Sequence, residues 1–174
     1  MKRKQLVLIS SVATVFLLIG ASVAWWALQP SDRSPLPEDI RSQIQFSPLL
    51  IPTDSTTETK SYQYAVVEEG VRILTFIAVI DDIEVTFSEY AQPPSFNDIP
   101  EYKTKFLENV IRQTNSISAS SGTIYLGIQE RQENQQLAVM LENGLVVFMR
   151  PDGELNESQW RRVADQLELF RNLD

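Results

Sequence analysis

The sequence predicts an α+β protein: an N-terminal transmembrane helix, then a curved antiparallel sheet with two helices packed on one face. Three observations carry this. Residues 6–28 are uncharged and mostly apolar. Two groups of strand-like runs follow, marked by alternation and by short turn signals. Each group ends in a segment whose apolar residues recur at helical spacing.

The N-terminal segment sets the location. Leu6 to Leu28 spans 23 residues, about 34 Å as a helix at roughly 1.5 Å per residue, enough for a hydrocarbon core of about 30 Å. Trp25 and Trp26 fall near its far end, where indole rings favour the head-group layer. Lys2, Arg3 and Lys4 precede it and hold residues 1–5 in the cytoplasm by the positive-inside rule. The competing expectation is a cleaved export signal, with Ser22-Val23-Ala24 offering cleavage after Ala24. Its apolar stretch exceeds the roughly 7 to 15 residues of a signal core, so a retained single-pass anchor is expected. Either way the C-terminal part lies outside the cell membrane, anchored or secreted.

Residues 29–59 read as a stalk and lead-in segment, with Pro35, Pro37, Pro48 and Pro52 and the polar run "TDSTTETKS". Within it Ile44, Phe46, Leu49, Leu50 and Ile51 suit a first edge strand or a cover for the core; Pro48 excludes a central ladder. The folded domain is expected over 60–174. Strands are expected at 61–69, 71–81 and 83–91, with turns at Glu69-Gly70 and Asp81-Asp82. Ile73 to Ile80 is apolar on both parities, which predicts a central strand covered on both faces. In 83–91, Ile83, Val85 and Phe87 alternate with Glu84, Thr86 and Ser88, the pattern of a strand with one wet side.

A loop at 91–100, stiffened by Pro93-Pro94, leads to a helix expected over 101–117, whose stripe is Tyr102, Phe106, Val110 and Ile111. The second strand group is 123–131, 136–142 and 145–150, the last two joined by Asn143-Gly144, a strong hairpin signal. Pro151-Asp152-Gly153 makes a turn, and Asn156 caps a final helix over 157–172 with Trp160, Val163, Ala164, Leu167 and Phe170 on one face.

Composition excludes several functions. All 23 acidic residues follow the apolar segment, so the part from Ser31 onward has 12 basic against 23 acidic residues, a net of −11. That charge opposes phosphate backbones, and no nucleic-acid partner is expected. There is no cysteine, hence no disulfide, no N-terminal lipid attachment and no thiolate metal site. There is no histidine, the usual general base and commonest transition-metal ligand. No metal or cofactor is expected.

Weak catalytic signals each have a plainer structural reading. Asp81, Asp82 and Glu84 lack the alternating acids and central Gly of a calcium loop, so they read as a solvated turn. Glycoside hydrolysis by paired carboxylates is a minor alternative, because 23 acids make pairs inevitable. Ser118, Ser120 and Ser121 have no histidine to activate them, and no SxxK pattern links them to Lys103 or Lys105. Asn156-Glu157-Ser158 matches a glycosylation triplet, but Asn156 suits a helix cap. Six rings, Tyr62, Tyr64, Phe76, Phe87, Tyr90 and Tyr125, would line an apolar ligand groove if they shared one sheet face, and otherwise form core.

The stretch 122–169, closest in "VVFMRPDGELNESQWRRVADQL", resembles the end of a bacterial domain-of-unknown-function family. Its members commonly sit outside the membrane after one N-terminal transmembrane helix, some near anti-sigma or sporulation proteins. The resemblance lies in the order of parts: a Gly-led strand, a strand pair, a "DG" turn and an amphipathic last helix. Phe148 stands where the family often has Trp. The resemblance implies a half-barrel similar to that of lipoprotein-carrier and sigma-regulatory sensor domains, and it brings no catalytic residues. The expected function is therefore non-catalytic binding of a protein or peptide in the envelope, with a carrier or sensor of a lipid-like ligand as the alternative.

Overall fold

Register decides where every side chain of this fold goes, because one residue of slip would turn a strand over. The computed structural model of the chain describes residues 35–52, 55, 57–67, 70–99, 101–129 and 135–170. The expected anchor at 6–28 lies outside them. Among the described residues no helix is long and apolar enough to cross a membrane.

In chain order the elements are α1 (Glu38–Arg41), β1 (Leu49–Leu50), β2 (Glu58–Val66), β3 (Arg72–Ile80), β4 (Ile83–Ala91), α2 (Ser95–Asp98), α3 (Tyr102–Val110), β5 (Ile111–Ala119), β6 (Gly122–Gln129), β7 (Gln136–Met140), β8 (Leu145–Pro151), α4 (Glu157–Gln166) and β9 (Glu168–Leu169). The class is α+β. Seven strands form an antiparallel sheet in the order β2-β3-β4-β8-β7-β6-β5, and β1 pairs with β9. After the β2–β4 meander the chain crosses through α2 and α3 to the far edge, then returns strand by strand until β8 pairs with β4.

Two tight turns follow from local chemistry. Asp81 and Asp82 have φ of 48° and 65°, and Asn143 and Gly144 have 55° and 74°. Positive φ at both central residues matches the right-handed twist of a hairpin, and Asp, Asn and Gly tolerate it best.

The sheet buries its two faces differently. On the first face lie Leu74, Phe76, Ala78, Val85, Phe87, Ile117, Ile124, Ala138, Met140, Val147 and Met149, covered by Trp160, Val163 and Ala164 of α4. Phe76 and Phe87 are cross-strand partners and stack at 4.6 Å and 5°, a pair that contributes about 0.5–1.5 kcal/mol beyond its buried area. On the second face Leu137, Val139, Leu141 and Val146 meet Leu107 and Phe106 of α3. The two longer helices thus cover opposite faces, which corrects the expectation that both pack on one. The cause is the crossover: α3 lies between β4 and β5 in sequence and passes over the face that α4 does not use.

Three further boundaries differ from expectation. Leu36, Ile40, Ile44, Leu49, Leu50 and Ile51 are all buried on the first face. Residues 36–51 are therefore a strap across the core, as the core-cover reading of Ile44, Leu49, Leu50 and Ile51 expects, and the folded unit begins well before residue 60. The helix expected over 101–117 ends at Val110, and Ile111–Ala119 is strand; its Thr, Asn and Ser are poor helix formers, and β6 supplies a ladder. The final helix stops at Gln166 rather than 172, because Glu168 and Leu169 pair with Leu50 and Leu49.

Both edge strands are bulged. β2 shifts register between Lys60 and Gln63, with Ser61 at φ 60°, and β5 shifts between Gln113 and Asn115. The β5 bulge places Ile111 in the second-face cluster and Ile117 in the main core, although six residues of regular strand would put them together. Bulges also spoil the flat edge that another strand would join.

Candidate binding face

The second face is only half covered. Over β5–β8, α2 and α3 bring Phe96, Phe106, Leu107 and Val110 onto Val139, Val146 and Phe148. Phe96 meets Tyr102 and Phe106 edge-on at 5.0 and 5.2 Å. Toward β2 and β3 the face lies outside this cluster, which includes Tyr90 of β4 and no residue of β2 or β3. There β3 presents Ile73, Thr75, Ile77 and Val79, all half-buried, while Leu74, Phe76 and Ala78 on its other side are fully buried.

Register extends this into rows. Ala65 pairs with Ile73; Gln63, Thr75 and Ser88 form a second row, and Lys60, Ile77 and Thr86 a third. Val71 continues the β3 column beyond the strand, bonded to Val67 through Val67 N–H to its carbonyl at 2.8 Å. Val67 and Val71 are 44% and 39% exposed, unusual for their type. From Val71 to Val79 the column is about 27 Å long at roughly 3.3 Å per residue. Its far end is polar: Lys60 Nζ lies 2.7 Å from Glu84 Oε1, across β3. The hydrogen bond and charge of Glu84 hold the Lys60 ammonium above its ordinary pKa.

Concavities lie elsewhere. One of about 580 Å³ beside α3 is lined by Lys103, Thr104, Leu107, Glu108, Ile111, Arg112 and Tyr125. Another of about 430 Å³ lies at the start of α4, between Glu154, Glu157, Trp160 and the end of β6.

The six rings proposed for a groove are not brought together. Phe76 and Phe87 are fully buried and stacked, Tyr62 packs on Phe76 at 5.6 Å, and Tyr64 joins the same core. Tyr90 and Tyr125 belong to the opposite face, Tyr90 lying against Phe148. Burial raises the pKa of the Tyr62 and Tyr90 phenols. The alternation of the strands separates these rings, and no single groove collects them.

The acidic turn is occupied by protein. Asp81 Oδ2 accepts from Gln159 Nε2 at 2.8 Å and from Arg162 at 2.6 Å. These two bonds, Gln159 first, lower the Asp81 pKa. They tie the β3–β4 turn to α4, and among the described residues no three acids gather as a metal site. Of the groups considered for a dyad, Ser120 bonds Asp165, Lys105 pairs with Glu101 and Lys103 Nζ donates to the Leu141 carbonyl at 3.4 Å, while Ser121 Oγ is buried without a hydrogen-bond partner among the described residues. Asn156 forms a full capping box with Gln159.

One residue escaped the sequence reading. Glu89 is fully buried on the first face, where its Oε2 accepts from Leu49 N–H at 3.0 Å. Extending the alternation of Val85 and Phe87 by one more step would have placed this acid on the dry side.

Comparison with family models, with curated proteins and with solved structures found no match to this chain.

Proposed function

We propose that this is a single-pass, envelope-facing protein whose outer domain binds a partner protein or peptide on the bare half of its sheet and performs no chemistry. The observation that supports this reading is the half-exposed column of Val71, Ile73, Ile77 and Val79 with no described cover. An apolar patch of that length costs solubility unless something docks there. The bulges in β2 and β5 favour side-chain contact with the face over strand addition at an edge. The acidic excess favours a partner that is neutral or basic around an apolar centre.

A second reading, a carrier of a lipid-like ligand, is favoured by the concavity beside α3. Its volume suits a small molecule, and Lys103 and Arg112 flank an apolar floor of Leu107, Ile111 and Tyr125. That combination suits an anionic head with a short apolar tail.

One experiment separates the readings. A photo-crosslinking residue is placed at Thr75 on the bare face or at Thr104 in the concavity, in intact cells. A protein adduct at Thr75 that disappears in the Ile73→Glu/Ile77→Glu variant supports the partner module. An adduct at Thr104 that extracts with lipid supports the carrier. Thr75 adducts that are absent, or unchanged by the double substitution, would overturn the first reading.

A further inference from the structure

We propose that Glu89 is a proton-controlled clasp: its neutral carboxyl holds the strap of residues 36–51 on the sheet, and ionisation frees that strap.

The geometry starts with the row in which Glu89 lies. Tyr64, Leu74, Glu89, Val147, Met140, Ile124 and Ile117 are successive partners across all seven strands, and only Glu89 carries a charge-bearing group. It is the one buried charged side chain among the described residues. The hydrogen bond it receives comes from the strap, through Leu49 N–H, and Oε1 has no partner among the described residues. Among the described residues the groups around it offer no counter-charge. β2 contributes the phenols of Tyr62 and Tyr64, the latter also unpartnered; β3 contributes Leu74 and Phe76, and β8 contributes Leu145 and Val147. The strap contributes Leu49, Leu50 and Ile51, and Glu168 of β9 is exposed.

Burial therefore raises the carboxyl well above its ordinary range, and the single Leu49 N–H only partly offsets this. The sign follows. A group whose folded pKa is raised gives its full stabilisation below its unfolded value and loses it as pH rises through the folded value.

What yields when Glu89 ionises is set by how each neighbour is held. β3 and β8 flank β4 in ladders of seven partner pairs each. The ladder that holds the strap is the two-residue pairing of β1 with β9, beside the bond from Phe170 N–H to Pro48 O at 2.9 Å. Its six buried apolar side chains oppose the entropy of ordering about sixteen residues, terms of similar size. The strap is thus the element over the acid with the shortest ladder. Its release would expose Glu89 to water and add up to about 50 Å of tether at roughly 3.3 Å per residue. That consequence rests on the proposed N-terminal anchor; the clasp itself does not.

The test is hydrogen exchange on the full chain in detergent micelles from about pH 6 to 10, corrected for intrinsic exchange. Protection at Leu49 to Ile51 should fall about tenfold per pH unit between the ordinary carboxylate range, where a released Glu89 ionises, and the raised range of the clasped carboxyl, and level off above it, while β3 and β8 keep theirs. Glu89→Gln should hold strap protection flat over the same range. Strap protection that ignores pH, that falls equally in Glu89→Gln, or that falls together with β3 and β8 overturns the clasp. Should Glu89→Gln not fold, carboxyl carbon NMR of the native chain decides. The pH at which Glu89 of the native chain titrates must coincide with the levelling of strap protection, and a mismatch overturns the proposal.

Discussion

Trp160 offers the sharpest test of how α4 holds the fold. Its side chain is fully buried, yet Nε1 has no hydrogen-bond partner among the described residues. Two opposed terms follow. Burying an aromatic ring of about 150–250 Å² is worth about 4–6 kcal/mol at ~25 cal/mol per Å². An unpaired buried N–H costs about 1–3 kcal/mol. Trp160 also lines the concavity of about 430 Å³, so water can enter the space that truncation leaves, which limits the cavity penalty. Trp160→Ala is therefore expected to cost about 3 kcal/mol, the low end for large aromatic truncations. Trp160→Phe keeps most of the ring and removes the unpaired donor, and should cost no more than about 1 kcal/mol on the same reasoning. Urea unfolding followed by far-UV circular dichroism measures both, with an unchanged slope confirming a comparable transition. A loss below about 1 kcal/mol for Trp160→Ala, the scale of a surface change, would show that α4 does not dock through this ring. Equal losses for Ala and Phe would show that the indole N–H is paired.

Two further outcomes test local geometry by the same unfolding measurement. Asn156→Ala removes the acceptor for Gln159 N–H at 3.0 Å and should cost about 1 kcal/mol; no change would mean that the cap is dispensable to α4. Gly127→Ala would place a Cβ 2.1 Å from the Arg112 carbonyl oxygen, a backbone atom that no rotamer can move. A cost of about 2 kcal/mol or more is expected from overpacking, and a loss under about 0.5 kcal/mol would show that the β5 bulge relaxes freely.

Much of the fold was legible because strands and turns leave local marks. Asn143-Gly144 and Asp81-Asp82 define their hairpins through residue type alone, and the alternation in 83–91 gives β4 with its observed bounds, Ile83–Ala91. Asn156 followed three residues later by Gln159 marks a helix start, and Trp160, Val163 and Ala164 mark its buried side. What escaped depends on distant partners. Nothing near Ile111 shows that β6 draws it into a strand, and nothing near Glu168 shows that Leu50 waits opposite. In the segment read as a stalk, Ile44, Leu49, Leu50 and Ile51 were legible as an edge strand or a cover for the core, and they are both; the prolines and the polar run set the domain boundary too late, because Leu36 and Ile40 find the core only once the sheet exists. The placement of α3 and α4 on opposite faces is a property of the crossover, which leaves no mark on either helix.

The candidate site was half legible for a related reason. Ile73 to Ile80 is apolar on both parities, and the natural inference was that both sides are covered. The inference fails at one place, over Ile73, Ile77 and Val79, where the sheet extends beyond the reach of α3. On the adjacent strand the pattern breaks in the opposite sense, with Glu89 on the dry side. A sequence selected only for folding would have a polar residue at 77 and an apolar one at 89, since each exchange removes a cost without altering register. Two such breaks in one hairpin, back to back across the same sheet, are difficult to explain by stability alone. That is why the bare face and the buried acid, rather than the aromatic residues that first drew notice, are where function should be sought.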